Sequence, residues 1–403
     1  MERIFKKSGK ILLAVDKFKG SLTSLEAESA IEEGILDSAG MDGGPFGCVP
    51  DIVKLPMADG GDGSLEAVSA VWGPSCRRIR CRITGPLGEP AETEFLISGE
   101  RAFIEMAKVC GLVMVPESER NPLNTTTYGL GETMLEAYGA GARQIFVSIG
   151  GSATNDCGAG MMQALGYEFL DSEGEVLGIP VSGRDLVRIK RVLPDGNILA
   201  GCNITAICDV TNPLLGDNGA TMVYGRQKGA DDAGLALLEA GMENFSAAAL
   251  CSLRGREADP DFPGAGAAGG VGFALKYFAG ATLLKGEEFF MELTGIEALV
   301  ADADLVVGGE GSIDSQSFYG KLVSWLYALC RKYNKPLVLF CGMNKSRFSA
   351  PDCRIFALND IENDVSRCIS HACRLLRKRA CMAFSNEMKG LCQKSEGSSL
   401  SKV

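Results

Sequence analysis

Short runs of apolar and β-branched residues recur along the chain, and each ends in a turn rich in Gly, Asp, Ser or Lys. Uninterrupted apolar runs of this length are typical of strands that are buried on both faces of a parallel sheet. Helix-like segments follow most of the turns. The runs interpreted as parallel strands are 11–15, 145–149, 204–208 and 305–307, with closing strands at 336–340 and 355–358. The pattern therefore predicts an α/β fold with open, mainly parallel sheets.

A different pattern occupies residues 76–105, where apolar and polar residues alternate in short runs separated by turns. Such alternation is typical of antiparallel strands, and it predicts that a second domain begins in this region. Hairpin-like material follows between residues 167 and 203. The length of 403 residues also favours two domains over one.

The turn after the strand 145–149 has the sequence Gly-Gly-Ser-Ala-Thr-Asn-Asp, and a helix-like segment follows it. Glycines let backbone N–H groups approach a ligand closely, and a helix N-terminus adds partial positive charge. The turn is therefore a candidate anion site, whose binding residues are Gly150, Gly151, Ser152, Thr154 and Asn155. The alternative is an ordinary strand-to-helix turn in which Ser152 or Asn155 caps the helix.

Further turns carry carboxylates. The first strand ends at Asp16–Ser21, where one carboxylate and two lysines form either a site or a solvated charged loop. The helix after it is predicted to begin with a capping box of Thr23 and Glu26. Asp59–Ser64 places two aspartates among three glycines, which suits a metal or a polar ligand but is also common in turns. Asp209 lies where another predicted strand ends, a common place for a catalytic carboxylate.

Glycines at 264–270 match a Gly-x-Gly-x-x-Gly pattern ahead of a predicted helix. The dinucleotide fingerprint must follow a strand directly, whereas a loop precedes this pattern, so a nicotinamide site is not expected. The open prediction is a helix N-terminus that receives another anion, at Gly266, Gly269 and Gly270. The turn after 305–307 leads to Asp314 and then to Gly320-Lys321 at a helix start, without a P-loop sequence.

Composition narrows the functional classes. The net charge of −11 disfavours a nucleic-acid surface, which normally carries a basic patch. No apolar run reaches the roughly 18 residues of a membrane span, so no membrane association is expected. The 15 cysteines are scattered without Cys-x-x-Cys pairs, which predicts reduced, mostly buried thiols in a cytoplasmic protein. The single histidine, His371, is predicted to lie mid-helix without an acidic partner, so a general base should be a carboxylate.

The turns together supply backbone N–H groups, a few lysines, hydroxyls and several aspartates. In open α/β sheets ligands bind beyond the carboxyl ends of the strands, so we expect the turns to converge on a cleft between two domains. The set lacks a suitable histidine, an activated serine or cysteine, and an electron-carrying cofactor motif. It fits phosphoryl transfer, in which Lys, N–H groups and Mg²⁺ neutralise charge and a carboxylate orients the attacking hydroxyl.

Six of these segments, in their order and spacing, resemble the bacterial type 1 glycerate kinases. They are Asp16–Lys19, Ala58–Gly63, Gly150–Asp156, Cys208–Pro213, Gly264–Gly270, and Gly309–Gln316 with Gly320-Lys321. The resemblance implies phosphorylation of D-glycerate with ATP and Mg²⁺, and 2-phosphoglycerate as the expected product. It also implies a flavodoxin-like α/β domain made from 1–70 and 285–390, with a second α/β domain, 71–284, inserted. Residues 393–403 are predicted to be a disordered tail.

The hypothesis for the individual roles combines the chemistry with the resemblance. The glycine-rich turns hold phosphate or carboxylate oxygens, while Lys19 and Lys321 neutralise anionic groups. Asp209 and Asp314 are each predicted to act as general base or Mg²⁺ ligand, with no choice between them, and Asp16 joins Lys19 as a catalytic candidate. The chain departs from the usual family pattern at Asp62, Ser64, Leu322 and the turn 341–344.

Two other functions stay open from the sequence. One is a kinase for a related short hydroxy acid such as tartronate or erythronate, and the other is a non-catalytic sensor of sugar acids or phosphate. Glycerate is the expected partner, with a homodimer as the candidate assembly. The sequence does not choose between 2- and 3-phosphoglycerate, and it assigns no role to the N-terminal extension or the Cys-rich C-terminal segment.

Overall fold

The computed structural model describes residues 9–39, 49–193, 198–199, 201–252, 259–314, 316–318 and 322–387. The strands are β1 (Lys10–Val15), β2 (Asp51–Lys54), β3 (Arg77–Thr84), β4 (Pro90–Ser98), β5 (Arg101–Glu105), β6 (Gln144–Ser148), β7 (Glu168–Leu170), β8 (Arg191–Leu193), β9 (Asn203–Ile207), β10 (Thr282–Leu284), β11 (Leu305–Ile313), β12 (Leu337–Asn344) and β13 (Cys353–Ala357). The predicted tail at 393–403 lies outside the described residues.

The helices alternate with the strands over most of the chain. They are α1 (Ser24–Ala39), α2 (Ser64–Trp72), α3 (Ala107–Cys110), α4 (Tyr128–Gly139), α5 (Ala159–Ala164), α6 (Ala220–Tyr224), α7 (Asp232–Ser252), α8 (Ala267–Phe278), α9 (Gly286–Thr294), α10 (Ile296–Asp302), α11 (Leu322–Lys332), α12 (Val365–Ser370) and α13 (Ala372–Met382). Among these described helices, none combines the length and the apolar character that crossing a membrane requires.

The chain divides into two compact units. Unit 1 contains Met1–Asp59 and Phe290–Val403, and unit 2 contains Gly60–Phe289. Unit 1 is therefore built from both chain ends, and unit 2 is one continuous segment between them.

Unit 1 is organised around a five-stranded sheet with the order β2-β1-β11-β12-β13. Every neighbouring pair in it is parallel. Numbered within the unit, this order is 2-1-3-4-5, which is that of flavodoxin-like folds. The inner strands β1, β11 and β12 contain buried apolar runs, as expected of a sheet covered on both faces, and they form the core of the unit together with α1 and α13. The predicted α/β class and the flavodoxin-like domain are confirmed.

The helix α1 begins as its sequence predicts. The Thr23 N–H donates to Glu26 Oε2 at 2.8 Å, and the Glu26 N–H donates to Thr23 Oγ1 at 3.2 Å, which is a capping box. Further along, α1 packs closely on α13, because a Cβ at Gly34 would lie 2.3 Å from the backbone oxygen of Arg377. Only glycine allows this approach.

Unit 2 contains a six-stranded sheet with the order β10-β9-β6-β5-β4-β3. Its β3–β4 and β4–β5 pairs are antiparallel, as the alternation at 76–105 predicts, and the remaining pairs are parallel. A separate antiparallel pair, β7 with β8, accounts for the hairpin pattern between 167 and 203. The helices of the unit close over this sheet in its own large apolar core.

The prediction that His371 lies mid-helix is wrong. His371 separates α12 from α13, and its backbone, with φ −118° and ψ 22°, is not helical. Asp364 caps the start of α12 by accepting hydrogen bonds from the N–H groups of Ser366 and Arg367. The imidazole is exposed and shares a hydrogen bond with the hydroxyl of Ser370 at 3.0 Å.

Candidate functional site

A cavity of about 370 Å³ lies at the carboxyl end of the unit 1 sheet, a size that suits a small-molecule ligand. Its lining follows the strands in turn: Asp16–Lys19 and Ser21 after β1, Asp59 beyond β2, Glu310–Ser312 in β11, Gly342, Met343 and Lys345 around the end of β12, Leu358 and Asn359 after β13, and Val365, Cys368 and Ile369 of α12. In this fold the strand order reverses between β1 and β11, and ligands bind at such switch points. We call this space the switch-point cavity.

Asp16 is the carboxylate at the centre of this lining. Its Oδ1 accepts a hydrogen bond from the N–H of Lys17 at 2.7 Å. Desolvation raises the pKa of Asp16 to about 7, and the negative charge of Asp59 raises it as well, while the Lys17 ammonium opposes the shift. Lys17 is in turn paired with Asp59, with 3.3 Å between its Nζ and Oδ1. A carboxyl group with a pKa near neutrality can exchange a proton under ordinary conditions.

Two glycines at the base of the cavity allow its backbone segments to approach one another closely. A Cβ at Gly311 would lie 3.1 Å from the backbone nitrogen of Lys19, and one at Gly342 would lie 2.7 Å from the backbone oxygen of Gly311. Strands β11 and β12 and the turn after β1 therefore meet without side chains between them. The predicted segments Asp16–Lys19 and Gly309–Gln316 are brought together here.

The far end of the switch-point cavity was missed by reasoning from the sequence. It is formed by Leu358, Asn359 and the helix α12. The side chains of Val365 and Ile369 are 50% and 48% exposed, although both are large and apolar. Their spacing of four residues on a short helix, which puts both on one face, was the available signal.

Of the two predicted site residues after β11, the structure describes Asp314 but not Lys321. The Oδ1 atom of Asp314 accepts from the N–H of Ser317 at 3.2 Å, and the N–H of Asp314 donates to the Ser317 hydroxyl at 3.2 Å, so Asp314 closes a local turn after β11. Its predicted role as base or metal ligand stays a prediction. Lys321 lies outside the described residues.

The turn Gly150–Asp156 of unit 2 packs against the segment that follows Asp59. A Cβ at Gly150 would lie 3.0 Å from the Cα of Gly61, and one at Gly151, whose φ is +73°, would lie 2.9 Å from Oδ1 of Asp62. The turns at Ala58–Gly63 and Gly150–Asp156, which are separate in sequence, are thus neighbours in space. Both are candidate ligand turns in the sequence, with an ordinary turn as the alternative for each.

Lys228 supplies the positive charge of this turn, although no local sequence pattern marks it. Its side chain is almost fully buried, and Nζ donates to Ser152 Oγ at 3.1 Å and to the backbone oxygen of Thr154 at 2.7 Å. Desolvation lowers the pKa of Lys228 to about 8, against the opposing charge of Asp156. Within the described residues, the buried atoms Ser148 Oγ, Thr154 Oγ1 and Asn155 Oδ1 have no hydrogen-bond partner. Such atoms mark places that water or a ligand completes.

Asp156 anchors the same turn. Its carboxylate accepts from the N–H and the hydroxyl of Thr127, both at 2.7 Å, and from the N–H groups of Gly158 and Gly160, both at 3.2 Å. Burial raises the pKa of Asp156, and these donors act in the opposite direction. With its oxygens engaged in this way, Asp156 holds the start of α5 in place.

The glycines at 264–270 pack against the rest of unit 2. The N–H of Gly266 donates to the backbone oxygen of Asn212 at 3.0 Å. A Cβ at Gly269, whose φ is +70°, would lie 2.2 Å from the backbone oxygen of Thr154, and one at Gly270 would lie 2.7 Å from the Cα of Cys157. These positions need glycine for close packing. Their predicted anion-binding role stays a prediction.

Asp209 is exposed at the end of β9 in unit 2. Its Oδ1 accepts from the N–H of Gly286 at 2.7 Å, which fixes the start of α9. Nearby, a Cβ at Gly60 would lie 2.7 Å from the Cγ2 atom of Ile207, the last residue of β9. Asp209 therefore adjoins the edge where the other turns of unit 2 meet. Asp314, its alternative in the predicted roles, belongs to unit 1.

Comparisons with known proteins identify the family. A model described as the glycerate kinase family matches residues 11–386. The chain belongs to the glycerate kinase family. A protein from Escherichia coli (strain K12) named glycerate 2-kinase is 41% identical over 83% of this chain and 85% of its own length. A glycerate kinase from Halalkalibacterium halodurans is 40% identical over 82% of this chain and 85% of its own length.

A solved structure extends the match to three dimensions. The crystal structure of a protein described as glycerate kinase 2, from Salmonella typhimurium LT2, superposes with a TM-score of 0.78 at 36% identity. It covers 94% of this chain and 98% of the other. The predicted family is confirmed, and as a glycerate kinase family member the chain is a phosphotransferase with an alcohol group as acceptor.

Proposed function

We propose that this glycerate kinase family member transfers a phosphoryl group from ATP to D-glycerate and yields 2-phospho-D-glycerate. The observation that carries the proposal is Asp16, a carboxyl group with a pKa of about 7 at the switch point, next to Lys17 and Lys19. Phosphoryl transfer needs a carboxylate that accepts the hydroxyl proton, together with cations that neutralise the phosphate oxygens. The named relative from Escherichia coli supports the choice of glycerate and of its 2-position.

In this proposal the chain's own residues divide the work. Asp16, in its ionised form, accepts the proton of the attacking hydroxyl, and Lys19 neutralises charge on the transferred group. The turn at 150–155 binds phosphate or carboxylate oxygens, with Lys228 holding Ser152 and the Thr154 carbonyl in position. Asp209 and Asp314 stay candidates for the base or for Mg²⁺ binding, and Lys321 stays a candidate cation.

Magnesium is the cofactor that fits the donor chemistry. The carboxylates of Asp16, Asp59 and Glu310 line the switch-point cavity, and hard oxygen ligands are those that Mg²⁺ prefers. No group of three or more potential ligand side chains in the described residues is arranged for a metal ion. Mg²⁺ usually takes only one or two carboxylates and completes its shell with phosphate and water. When bound, it would neutralise phosphate charge, and Asp59 and Glu310 are candidate ligands in this cavity beside the predicted candidates Asp209 and Asp314.

The test is release of ADP by the full chain with D-glycerate, with and without Mg²⁺, followed by phosphorus NMR of the product. We expect Mg²⁺-dependent turnover and the resonance of 2-phosphoglycerate. A panel with tartronate and erythronate separates the related kinases, and binding of glycerate without any ADP release would favour the sensor. Near-normal turnover in both Asp209→Asn and Asp314→Asn would remove those residues from the mechanism.

The setting of the enzyme is part of the same proposal. We infer work in the cytoplasm with reduced cysteines, and a homodimer as the assembly. Light scattering on the purified chain tests the assembly, and fractionation of the source cells tests the location.

A further inference from the structure

Glu105, the last residue of β5, is a buried carboxylate of unit 2 to which no role has yet been given. It is 2% exposed, and its Oε1 accepts a hydrogen bond from the N–H of Gly63 at 3.2 Å. Its Oε2 accepts from the N–H of Leu65 at 2.7 Å. Burial of a carboxylate costs free energy, which charge-assisted hydrogen bonds of this kind offset. Glu105 therefore fixes the backbone around residues 63–65, which lie 40 to 42 positions earlier in the chain.

The backbone that Glu105 holds is the start of α2 and the turn before it. The residue ahead of the helix, Gly63, has a φ of 87° and offers no side-chain cap. The carboxylate of Glu105 takes that place, since the first N–H groups of a helix lack partners within the helix and favour negative charge. We call residues 60–64 the Asp62 turn. Its position depends on Glu105 because α2 begins within it.

The segment that follows Glu105 is hydrogen-bonded to the other candidate ligand turn of unit 2, at 150–155, and to the strand before it. Three backbone N–H groups link the two segments at 2.9 Å: that of Met106 to the oxygen of Ser148, that of Leu112 to the oxygen of Gly151, and that of Ala153 to the oxygen of Cys110. One stretch of chain therefore holds both turns. It holds the Asp62 turn through the Glu105 side chain and the turn 150–155 through its backbone.

This arrangement places Asp62 against Gly151. A Cβ at Gly151 would lie 2.9 Å from Oδ1 of Asp62 and 3.2 Å from the Cβ of Ala107. A carboxylate at this position accepts hydrogen bonds, and it repels phosphate oxygens unless a cation lies between them. A ligand suits both turns when it offers a hydroxyl group to Asp62 and its negative charge to the turn 150–155. A 2-hydroxy acid carries these two groups on adjacent carbon atoms.

We propose that Asp62 accepts a hydrogen bond from a hydroxyl group of the hydroxy acid, and that Glu105 is the positioning residue that holds Asp62 in place for this contact. The proposal rests on the proposed phosphorylation of glycerate and adds two residues on the side of the acceptor substrate. Both carboxylate oxygens of Glu105 are engaged by backbone N–H groups, so Glu105 acts through the Asp62 turn and does not touch the substrate.

A double-mutant cycle tests whether the two residues act as one. Asp62→Asn should raise KM for D-glycerate about tenfold and leave KM for ATP within about twofold, because a hydrogen bond to a charged group is lost. Glu105→Gln should have a similar effect, since its amide group presents a donor to a backbone N–H and releases the turn. The double variant should also show a rise of about tenfold, whereas independent effects would multiply to about 100-fold. Glu100→Gln, at an exposed residue of the turn before β5, should leave both KM values unchanged.

Hydrogen exchange measures the position of the turn without reference to activity. Backbone amides of residues 61–65 should exchange at least about tenfold faster in Glu105→Gln, while those of β6 and β9 keep their protection. If Glu105→Gln does not fold, Glu105→Asp keeps the charge on a shorter side chain and should give smaller changes in the same directions. Unchanged exchange at 61–65 in a folded variant would overturn the positioning role.

The remaining outcomes separate this proposal from the proposed function. A rise of about 100-fold in the double variant would assign Glu105 to capping α2 alone and overturn its coupling to Asp62. An unchanged KM for glycerate in Asp62→Asn, or a higher Mg²⁺ requirement in its place, would overturn the contact with the hydroxyl group and leave the kinase function standing. If the wild type does not phosphorylate glycerate, the proposed function fails, and calorimetric titration of the four proteins with D-glycerate decides this proposal. The same pattern in Kd would support it, and equal Kd values or no binding would overturn it.

Discussion

Two glycine-rich regions of this molecule look alike in sequence and differ in structure. In unit 1, Gly311 and Gly342 bring β11, β12 and the turn after β1 together beneath a cavity. In unit 2, a Cβ added at Gly266 or at Gly269 would lie 2.2 Å from a backbone oxygen. The turns of unit 2 therefore pack directly against other backbone segments. A glycine-rich polar turn therefore signals close approach of the backbone, and only its neighbours decide whether a ligand or another segment approaches.

The buried carboxylates show the same difference. Asp156 in unit 2 accepts hydrogen bonds from backbone N–H groups and a hydroxyl on several sides, which fixes its position. Asp16 in unit 1 lies at a cavity beside Lys17, and its pKa is about 7. Hydrogen bonding makes one carboxylate part of the framework, whereas the other can take up and release a proton.

Removing the Asp16 carboxylate is the strongest way to test this contrast. Asp16→Asn should lower kcat about 10³-fold, because general-base catalysis is lost, while KM values change little. In the wild type the ionised base is required, so kcat/KM should rise with pH through about 7, and the variant should lose this dependence. Steady-state kinetics across pH measure both effects. Asp51→Asn, an exposed aspartate of β2, serves as the control, and an unchanged kcat in Asp16→Asn would contradict the assignment.

Lys228 tests whether the interlocked turns of unit 2 also take part in activity. Lys228→Met should lower kcat/KM about 100-fold, because Ser152 and the Thr154 carbonyl lose the ammonium that positions them. The readouts are the separate KM and kcat values and recovery of activity in Lys228→Arg, which should be incomplete. Lys190→Met, at an exposed lysine of the same unit, should keep full activity. Full activity in Lys228→Met would assign this turn to packing alone.

A pair of glycine substitutions compares the two regions directly. Gly269→Ala should destabilise the chain by about 3 kcal/mol or more, since its φ is +70° and its Cβ would meet the Thr154 oxygen at 2.2 Å. Gly311→Ala should cost less than about 1.5 kcal/mol, since its Cβ would meet the Lys19 nitrogen at 3.1 Å. It should instead raise KM for ATP. Chemical denaturation and kinetics give both numbers, and equal losses of stability would erase the contrast.

Substitution of Glu28 in α1 should have the smallest effect on activity, and it should change how the stability of the fold depends on pH. Its Oε1 accepts from the N–H groups of Val15 and Leu55, and burial raises its pKa to about 8 from 4.5. The folded chain therefore binds this proton more tightly than the unfolded chain. The resulting stability is complete below about pH 4.5 and is lost as pH rises to about 8, on the order of a few kcal/mol.

Glu28→Gln isolates that contribution. The variant should lose less stability than the wild type between pH 5 and pH 8, and its turnover should be close to normal. Urea denaturation at several pH values measures the difference. If the free energy of unfolding changed with pH in the same way in both proteins, Glu28 would be ionised in the folded state.

Local patterns carried most of the predicted fold. The capping box at Thr23 and Glu26 and the antiparallel strands between 76 and 105 are decided by neighbouring residues, and the structure confirms both. The break at His371 was missed because residues 365–382 contain no Gly or Pro that would mark the end of one helix and the start of the next. Lys228 was missed because its partners lie 74 and 76 residues away in the chain.

The sequence could predict only those parts of the candidate site whose residues are close together along the chain. The turn after β1 could be selected, since a carboxylate and two lysines follow a buried strand. The apolar end of the cavity was harder to select, because the four-residue spacing of Val365 and Ile369 is equally typical of an ordinary amphipathic helix. Their proximity to Asn359 depends on how α12 returns over the end of β13.

The pairing of β1 with β11 in unit 1 has a consequence for synthesis of the protein. The N–H of Lys10, at the start of β1, donates to Asp304, which is 294 positions further along the chain. A ribosome therefore completes all of Gly60–Phe289 before it makes β11, the strand that flanks β1 on its inner side. Until then the first 59 residues hold β1, α1 and β2 without the rest of their sheet. Protease added to a released fragment that ends at residue 289 should cut this leading segment first.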